Sequence, residues 1–173
     1  AMIGASYFLA AVNDIGWEYE PVGRASASRM IIWPNKFGIL PEFTEVTVDM
    51  RHLDRAKTDE MVAKTRVALE EAARKGNVDY EITAEWTFGD EVFDLDCAQL
   101  VRDAATTRGI SQMDITSIAG HDAYYISRIA PTALVFSPCV DGITHNEAED
   151  VRREPTVEAV NVFFDAVVAR ADR

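Results

Sequence analysis

The chain has 173 residues, of which 48% are hydrophobic and 27% charged, which is typical of a globular protein and excludes collagen-like, disordered and membrane-spanning classes. The net charge is −12, and the 17 basic residues are scattered, so neither nucleic acid nor an anionic membrane is expected as a partner. The two cysteines, Cys97 and Cys139, form no CxxC pair. This favours small buried thiols in a reducing cytoplasm over a disulfide framework or a catalytic thiol.

The sequence of the first half predicts two helices and three strands. In chain order these are a helix over residues 1–13, strands over 29–33 and 45–51, a helix from Asp54 or Thr58 to Gly76, and a strand over 78–86. Val46, Val48 and Met50 share the apolar face of the second strand. The buried stripe predicted for the second helix consists of Met61, Thr65, Ala68, Leu69 and Ala72. One further strand before residue 1 would complete a β-α-β-β-α-β unit of ferredoxin-like type.

The second half predicts mainly helices. A helix spans about residues 95–108, a short helix begins near His121, a buried strand covers 132–137, and Pro155 lies in the first turn of a final helix. The buried stripe predicted for the final helix consists of Val157, Val160, Phe164, Val167 and Val168. Because a lone buried strand needs neighbours, these elements do not form a complete fold.

Two histidines lie in loops on either side of the predicted strand. His121 precedes the strand, and His145 follows it together with Glu147 and Glu149. Imidazole is the commonest metal-binding side chain, and nearby carboxylates can bind the metal or orient the ring. A hydrogen-bonded surface histidine is the alternative, because a catalytic zinc needs three protein ligands and the spacing does not provide them.

Arg51 is a candidate for binding an acidic substrate. It ends the second predicted strand, on the face opposite the apolar residues, and a guanidinium binds a carboxylate through two parallel hydrogen bonds. A salt bridge with Asp49 or Asp54 is the alternative. The sequence contains no GxSxG, Walker or GxGxxG motif, so neither a serine nucleophile nor a nucleotide site is predicted.

Three segments carry a resemblance to a known family: VTVDMRHLD, GHDAYYISRIAPTALVFSP and GITHNEAED. They resemble the N-carbamoyl-L-amino-acid amidohydrolases, also called the hydantoinase/carbamoylase family, to which allantoate amidohydrolase and β-ureidopropionase are related. The resemblance covers essentially the whole chain and implies an α/β fold. Residues 1–87 then correspond to a dimerisation or lid domain without its first strand, and residues 88–173 to the C-terminal segment of the catalytic domain.

The resemblance also implies roles for individual residues. His145 would bind a metal, Arg51 would bind the substrate carboxylate, and the backbone of Ala119 and Gly120 would contact the substrate. His121 and Asp122 match the same motif and are expected to hold its loop. The sequence departs from the family pattern at Gly38, where an asparagine is usual, and at Ile118, where a glycine is usual.

The activity implied for the parent enzyme is metal-dependent hydrolysis of the carbamoyl amide of N-carbamoyl-L-amino acids, or of related ureido or N-acyl amino acids. The resemblance implies a homodimer formed through the lid and two divalent ions, which could be zinc, manganese, cobalt or nickel. The resemblance places the family's other metal ligands and its general-base glutamate in a first half that this chain is expected to lack. The chain alone is therefore expected to contribute no catalytic residue, to be inactive and to hold no metal stably. The alternative is a stand-alone, truncated and non-catalytic dimerising protein.

Overall fold

The computed structural model describes residues 1–172 and divides the chain into two compact units, Ala1–Thr87 and Phe88–Arg173. The elements of the first unit are α1 (Met2–Glu18), β1 (Arg24–Trp33), β2 (Phe43–Arg51) and α2 (Arg55–Gly76). Those of the second unit are α3 (Leu95–Thr107), α4 (Ala123–Ser127), a 3-10 turn (Val140–Gly142) and α5 (Arg153–Ala171). This mixture of helices and strands agrees with the predicted α/β class. Within residues 1–172, no helix has the length and apolarity needed to cross a membrane.

In the first unit, two helices pack on one face of an antiparallel hairpin. β1 pairs with β2 from Arg24 opposite Arg51 to Trp33 opposite Phe43, with one register shift after Ala27. The apolar face of β2 contacts the helices, as the alternation predicted, through Val46, Val48 and Met50. Because successive strand residues point to opposite faces, burying these three side chains directs Asp49 and Arg51 to the outer face.

The helix pair is fixed by a small core on α2. Met61 is fully buried and packs with Ile15 and Tyr19, while Ala72 packs with Phe8 and Val12. These contacts confirm the stripe predicted from helical spacing.

The ends of α2 also follow the sequence prediction. Asp54 caps the first turn, because its carboxylate accepts a hydrogen bond of 2.9 Å from the Ala56 N–H. At the other end α2 approaches α1 so closely that a Cβ on Gly76 would lie 2.5 Å from the Gly4 Cα. The glycine therefore permits the contact between the two helices.

The two remaining predicted strands are not formed among the described residues, and both predictions are wrong. Residues 78–86 are mostly exposed and form no strand ladder, and residues 132–137 likewise lie outside any ladder. Nearby, Cys139 and Val151 form only an isolated antiparallel bridge. Alternating or apolar sequence favours an extended backbone, but a strand also requires a hydrogen-bonded neighbour, which local sequence cannot supply.

The second unit has a core between α3 and α5. Leu100, Ala104 and Ala105 pack against Val162 and Ala166. The stripe predicted for α5 is wrong, since its members lie exposed: Val157, Val160, Phe164, Val167 and Val168. α5 carries apolar side chains on several faces, as helices buried on more than one side do. Among the described residues, the core contacts of α5 are made by the face that carries Val162 and Ala166, which packs against α3.

The fold predicts a large difference between two apolar positions on α2. We expect Met61→Ala to lower the free energy of unfolding by about 2 to 5 kcal/mol, because it leaves a cavity in a fully buried position. The exposed Val67→Ala on the same helix should change it by less than about 0.5 kcal/mol. Urea denaturation of both variants measures the difference, and equal stabilities would contradict the packing described.

Candidate functional site

Arg51 is the last residue of β2 and forms an ion pair with Asp49, one of the two salt bridges that the sequence offered as an alternative to substrate binding. Its Nε donates a hydrogen bond of 2.8 Å to Asp49 Oδ2, and its Nη2 contacts the same carboxylate oxygen. This hydrogen bonding raises the pKa of Arg51, so the guanidinium stays charged. The side chain remains 38% exposed. Arg51 is therefore a charged group at the end of β2 that is partly accessible to solvent.

The segment from Ser117 to His121 is a tightly tied loop. Ser117 Oγ lies 2.8 Å from His121 Nε2 and accepts a hydrogen bond of 3.2 Å from the Ala119 N–H. The Tyr124 hydroxyl donates to the Ala119 carbonyl oxygen at 2.9 Å. The His121 ring also packs edge-on against Phe136, with 5.4 Å between ring centroids. The His121 side chain therefore takes part in holding this loop.

Two residues that hold the loop, Ser117 and Tyr124, were not predicted from the sequence. A tyrosine immediately after the GHDA segment was the available signal, but nothing in the sequence showed that its hydroxyl turns back to the loop. Asp122 acts through its backbone, since its carbonyl accepts a hydrogen bond of 3.0 Å from the Tyr125 N–H at the start of α4.

His145 lies on an exposed loop whose base is closed by the backbone. The Val140 N–H donates to the Asp150 carbonyl at 2.8 Å. Midway along the loop, the His145 N–H donates to Glu149 Oε2 at 2.6 Å. His145 adopts a left-handed backbone conformation with φ of 55°, which non-glycine residues adopt rarely and often at functional sites. The loop thus holds the backbone of His145 while its side chain faces solvent.

The donor set around His145 does not make a metal centre within residues 1–172. No three histidine, cysteine, aspartate or glutamate side chains of that range come together as a metal-binding group. A catalytic zinc needs at least three protein ligands. Among the described residues, no such set of ligands surrounds His145.

The environment of Cys97 disfavours a nucleophilic role, as the sequence analysis predicted. The thiol is half-buried near the start of α3, and desolvation raises its pKa. The neighbouring Asp94 carboxylate raises it further through a hydrogen bond and its charge. The thiol is therefore protonated at neutral pH, and a thiol is a poor nucleophile compared with a thiolate.

The two departures from the family pattern lie in different surroundings. Gly38 occupies the loop that joins β1 to β2 and has a φ of 76°. Arg51 is at the other end of β2, which spans about 26 Å at the usual rise per residue. The change at Gly38 is therefore remote from the Arg51 guanidinium along the hairpin. Ile118 lies within the tied loop itself and is partly exposed.

Comparison with known proteins places the chain among hydrolases. The profile of Peptidase family M20/M25/M40 matches residues 4–169. An N-carbamoyl-L-amino-acid amidohydrolase of Rhizobium meliloti is 34% identical over 172 residues, which are 99% of this chain and 41% of that protein. Allantoate amidohydrolase of Escherichia coli K12 is 24% identical over 131 residues, which are 75% of this chain and 32% of that protein.

A solved structure shows the same likeness in three dimensions. The crystal structure of an amidase of the hydantoinase/carbamoylase family from Burkholderia vietnamiensis matches with a TM-score of 0.95 at 38% identity, covering 99% of this chain and 41% of that one. The family resemblance of the three quoted segments is thereby confirmed. The chain spans about two fifths of the length of these relatives.

The His145 loop generates a prediction about local order. We expect Glu149→Ala to speed amide hydrogen exchange at His145 by about tenfold, because it removes a charge-assisted hydrogen bond to that N–H. Glu147→Ala removes a neighbouring exposed carboxylate and should leave the exchange rate unchanged. Hydrogen exchange followed by NMR distinguishes the two, and identical rates in both variants would show that Glu149 does not hold the loop.

Proposed function

We propose that this chain, which belongs to peptidase family M20/M25/M40, forms part of an enzyme. The proposed enzyme hydrolyses the carbamoyl amide of N-carbamoyl-L-amino acids or of related ureido acids. The main support is the match along residues 4–169, together with a relative of that named activity aligned over 99% of the chain. In this proposal residues 1–87 serve as the lid and residues 88–173 as a segment of the catalytic domain.

The second unit supports the inference that further protein completes the enzyme. Two fifths of the relatives' length is matched, and α5 exposes large apolar side chains away from its α3 partner: Val160, Phe163, Phe164 and Val167. Burying such side chains is strongly favourable, at roughly 25 cal/mol per Å². We infer that the remaining part of the enzyme covers this helix, and that the chain alone is inactive.

Arg51 is proposed to bind the substrate carboxylate. Its guanidinium is charged, partly exposed and held at the end of a packed strand by Asp49. These properties suit recognition of a carboxylate, which the proposed substrates carry next to the ureido group. In this proposal Asp49 orients the guanidinium, and the guanidinium binds the substrate carboxylate.

His145 is proposed as one metal ligand. Enzymes of this family generally depend on two metal ions, and the imidazole is exposed on a loop whose backbone is hydrogen-bonded. Because the described residues do not complete a metal site, the other ligands and the general base would come from outside this chain. Zinc, manganese, cobalt and nickel are all candidates for the metal.

A homodimer formed through the first unit is also proposed. The hairpin of β1 and β2 is a two-stranded sheet, so within residues 1–172 each strand has a single hydrogen-bonded neighbour. Unpaired strand edges are sites at which a second copy can extend a sheet. Sedimentation of the enzyme would then give twice the mass of one chain.

The metal-ligand role predicts a specific loss. In the enzyme that contains this chain, we expect His145→Ala to reduce turnover by at least about 100-fold and to lower the bound metal, because one ligand is removed. Ammonia release and metal analysis measure the two effects. Full turnover with full metal content would refute the assignment of His145.

The carboxylate-binding role predicts a different pattern. We expect Arg51→Ala to raise KM about 10- to 100-fold with kcat little changed, as loss of charge-assisted hydrogen bonds to the substrate would do. Arg29→Ala is the matched control, because Arg29 lies on β1 and pairs with Glu45 at 3.0 Å. Steady-state kinetics on both variants measure the difference, and equal KM values would contradict the carboxylate-binding role of Arg51.

A further inference from the structure

Tyr124 occupies an unusual position for an aromatic residue beside an exposed loop. It is only 9% exposed, and its ring stacks on Phe93 at 5.7 Å with 21° between the planes. The edge of His121 packs against the same ring at 5.7 Å. These contacts hold the ring, and the hydroxyl is therefore presented to the loop in one orientation.

The hydroxyl fixes the orientation of a single peptide group. It donates to the Ala119 carbonyl oxygen at 2.9 Å, and the Ser117 carbonyl oxygen lies 3.3 Å away. The cis peptide bonds found precede Pro21 and Pro34, so the peptide between Ala119 and Gly120 is trans. In a trans peptide the carbonyl and the following N–H point in opposite directions. Drawing the Ala119 carbonyl towards Tyr124 thus turns the Gly120 N–H away from it.

The surroundings leave that N–H accessible. The Ala119 N–H is already donated to Ser117 Oγ, whereas none of the hydrogen bonds found among residues 1–172 uses the Gly120 N–H. Gly120 is exposed, and a Cβ at this position would lie 3.2 Å from Phe88 Cζ. The absence of a side chain therefore permits close packing of the Phe88 ring against the backbone, while the exposed position leaves the N–H open to solvent.

We propose that Tyr124 is a positioning residue, which holds the Ala119 carbonyl so that the Gly120 N–H donates a hydrogen bond to the substrate carboxylate. This inference rests on the proposed function, because it assumes a substrate with a carboxylate next to the ureido group. It adds a residue that neither contacts the substrate nor binds metal. Its effect is confined to the orientation of one peptide group.

Tyr124→Phe tests the role, because it removes the hydroxyl and keeps the ring that stacks on Phe93. In the complete enzyme we expect KM for an N-carbamoyl-L-amino acid to rise about tenfold, with kcat changed less than about twofold. The matched control is Tyr125→Phe, which removes a hydroxyl from the exposed neighbouring tyrosine and should leave both constants unchanged.

A second substrate separates positioning from general loosening of the structure. With the corresponding carboxamide, which has no carboxylate, Tyr124→Phe and the wild type should have the same KM. A rise in KM of equal size for both substrates, or no rise for either, would overturn the positioning role. Absence of turnover in the wild-type enzyme with every ureido acid tested would instead contradict the proposed function.

A measurement on the wild type keeps the inference testable even if the variant does not fold. Hydrogen exchange at the Gly120 amide should slow by about tenfold or more when a non-hydrolysable N-carbamoyl amino acid analogue is bound, and the carboxamide analogue should give no such protection. An exchange rate unaffected by the bound carboxylate would overturn the proposal.

Discussion

The first unit depends on burial of one face of β2. Val46, Val48 and Met50 must contact α1 and α2, because their apolar surface has no other cover. Because successive side chains of a strand point to opposite faces, the residues between these three point outwards. Asp49 and Arg51 are two residues apart on that outer face, close enough to form the ion pair observed. The candidate substrate-binding group is thus oriented by a hydrophobic contact on the opposite side of the sheet.

In the second unit, side-chain hydrogen bonds take the place of a sheet as the support for the loops. Tyr124 and Ser117 tie the loop before α4, and Glu149 holds the backbone of His145. Neither loop has an adjacent strand ladder among the described residues, and the α3–α5 core is small. The unit therefore combines hydrogen-bonded loops with a helix whose apolar side chains are largely exposed.

The sequence predicted those features that depend on local spacing. The period of α2 gave Met61 and Ala72 as core residues, and Asp54 gave its beginning, because helical periodicity and capping act within a few residues. The same reasoning failed for residues 78–86 and for α5. The strand that would pair with residues 78–86 and the surface that would cover α5 are distant in sequence. The alternation of residues 78–86 therefore carries no information about a neighbouring strand.

Some candidate site residues could be identified from the sequence, and others could be identified only from the structure. The GHDA and THNE segments identified Gly120 and His145 through resemblance, since their residue types and order are distinctive. Tyr124 was missed because its role depends on the direction of one hydroxyl, which follows from the packing of Phe93 and His121 around its ring. Sequence spacing alone likewise could not decide between a salt bridge and a substrate-binding role for Arg51, and the structure shows its contact with Asp49.

The proposed function makes the chain part of an enzyme that cleaves the carbamoyl group from N-carbamoyl-L-amino acids. The most direct test is to purify the natural product of the gene from its own cells, supply divalent metal, and measure ammonia released from a panel of N-carbamoyl-L-amino acids and related ureido acids. We expect ammonia in equal amounts with the free amino acid for at least one member of the panel. No release from any of them by metal-loaded protein would contradict it.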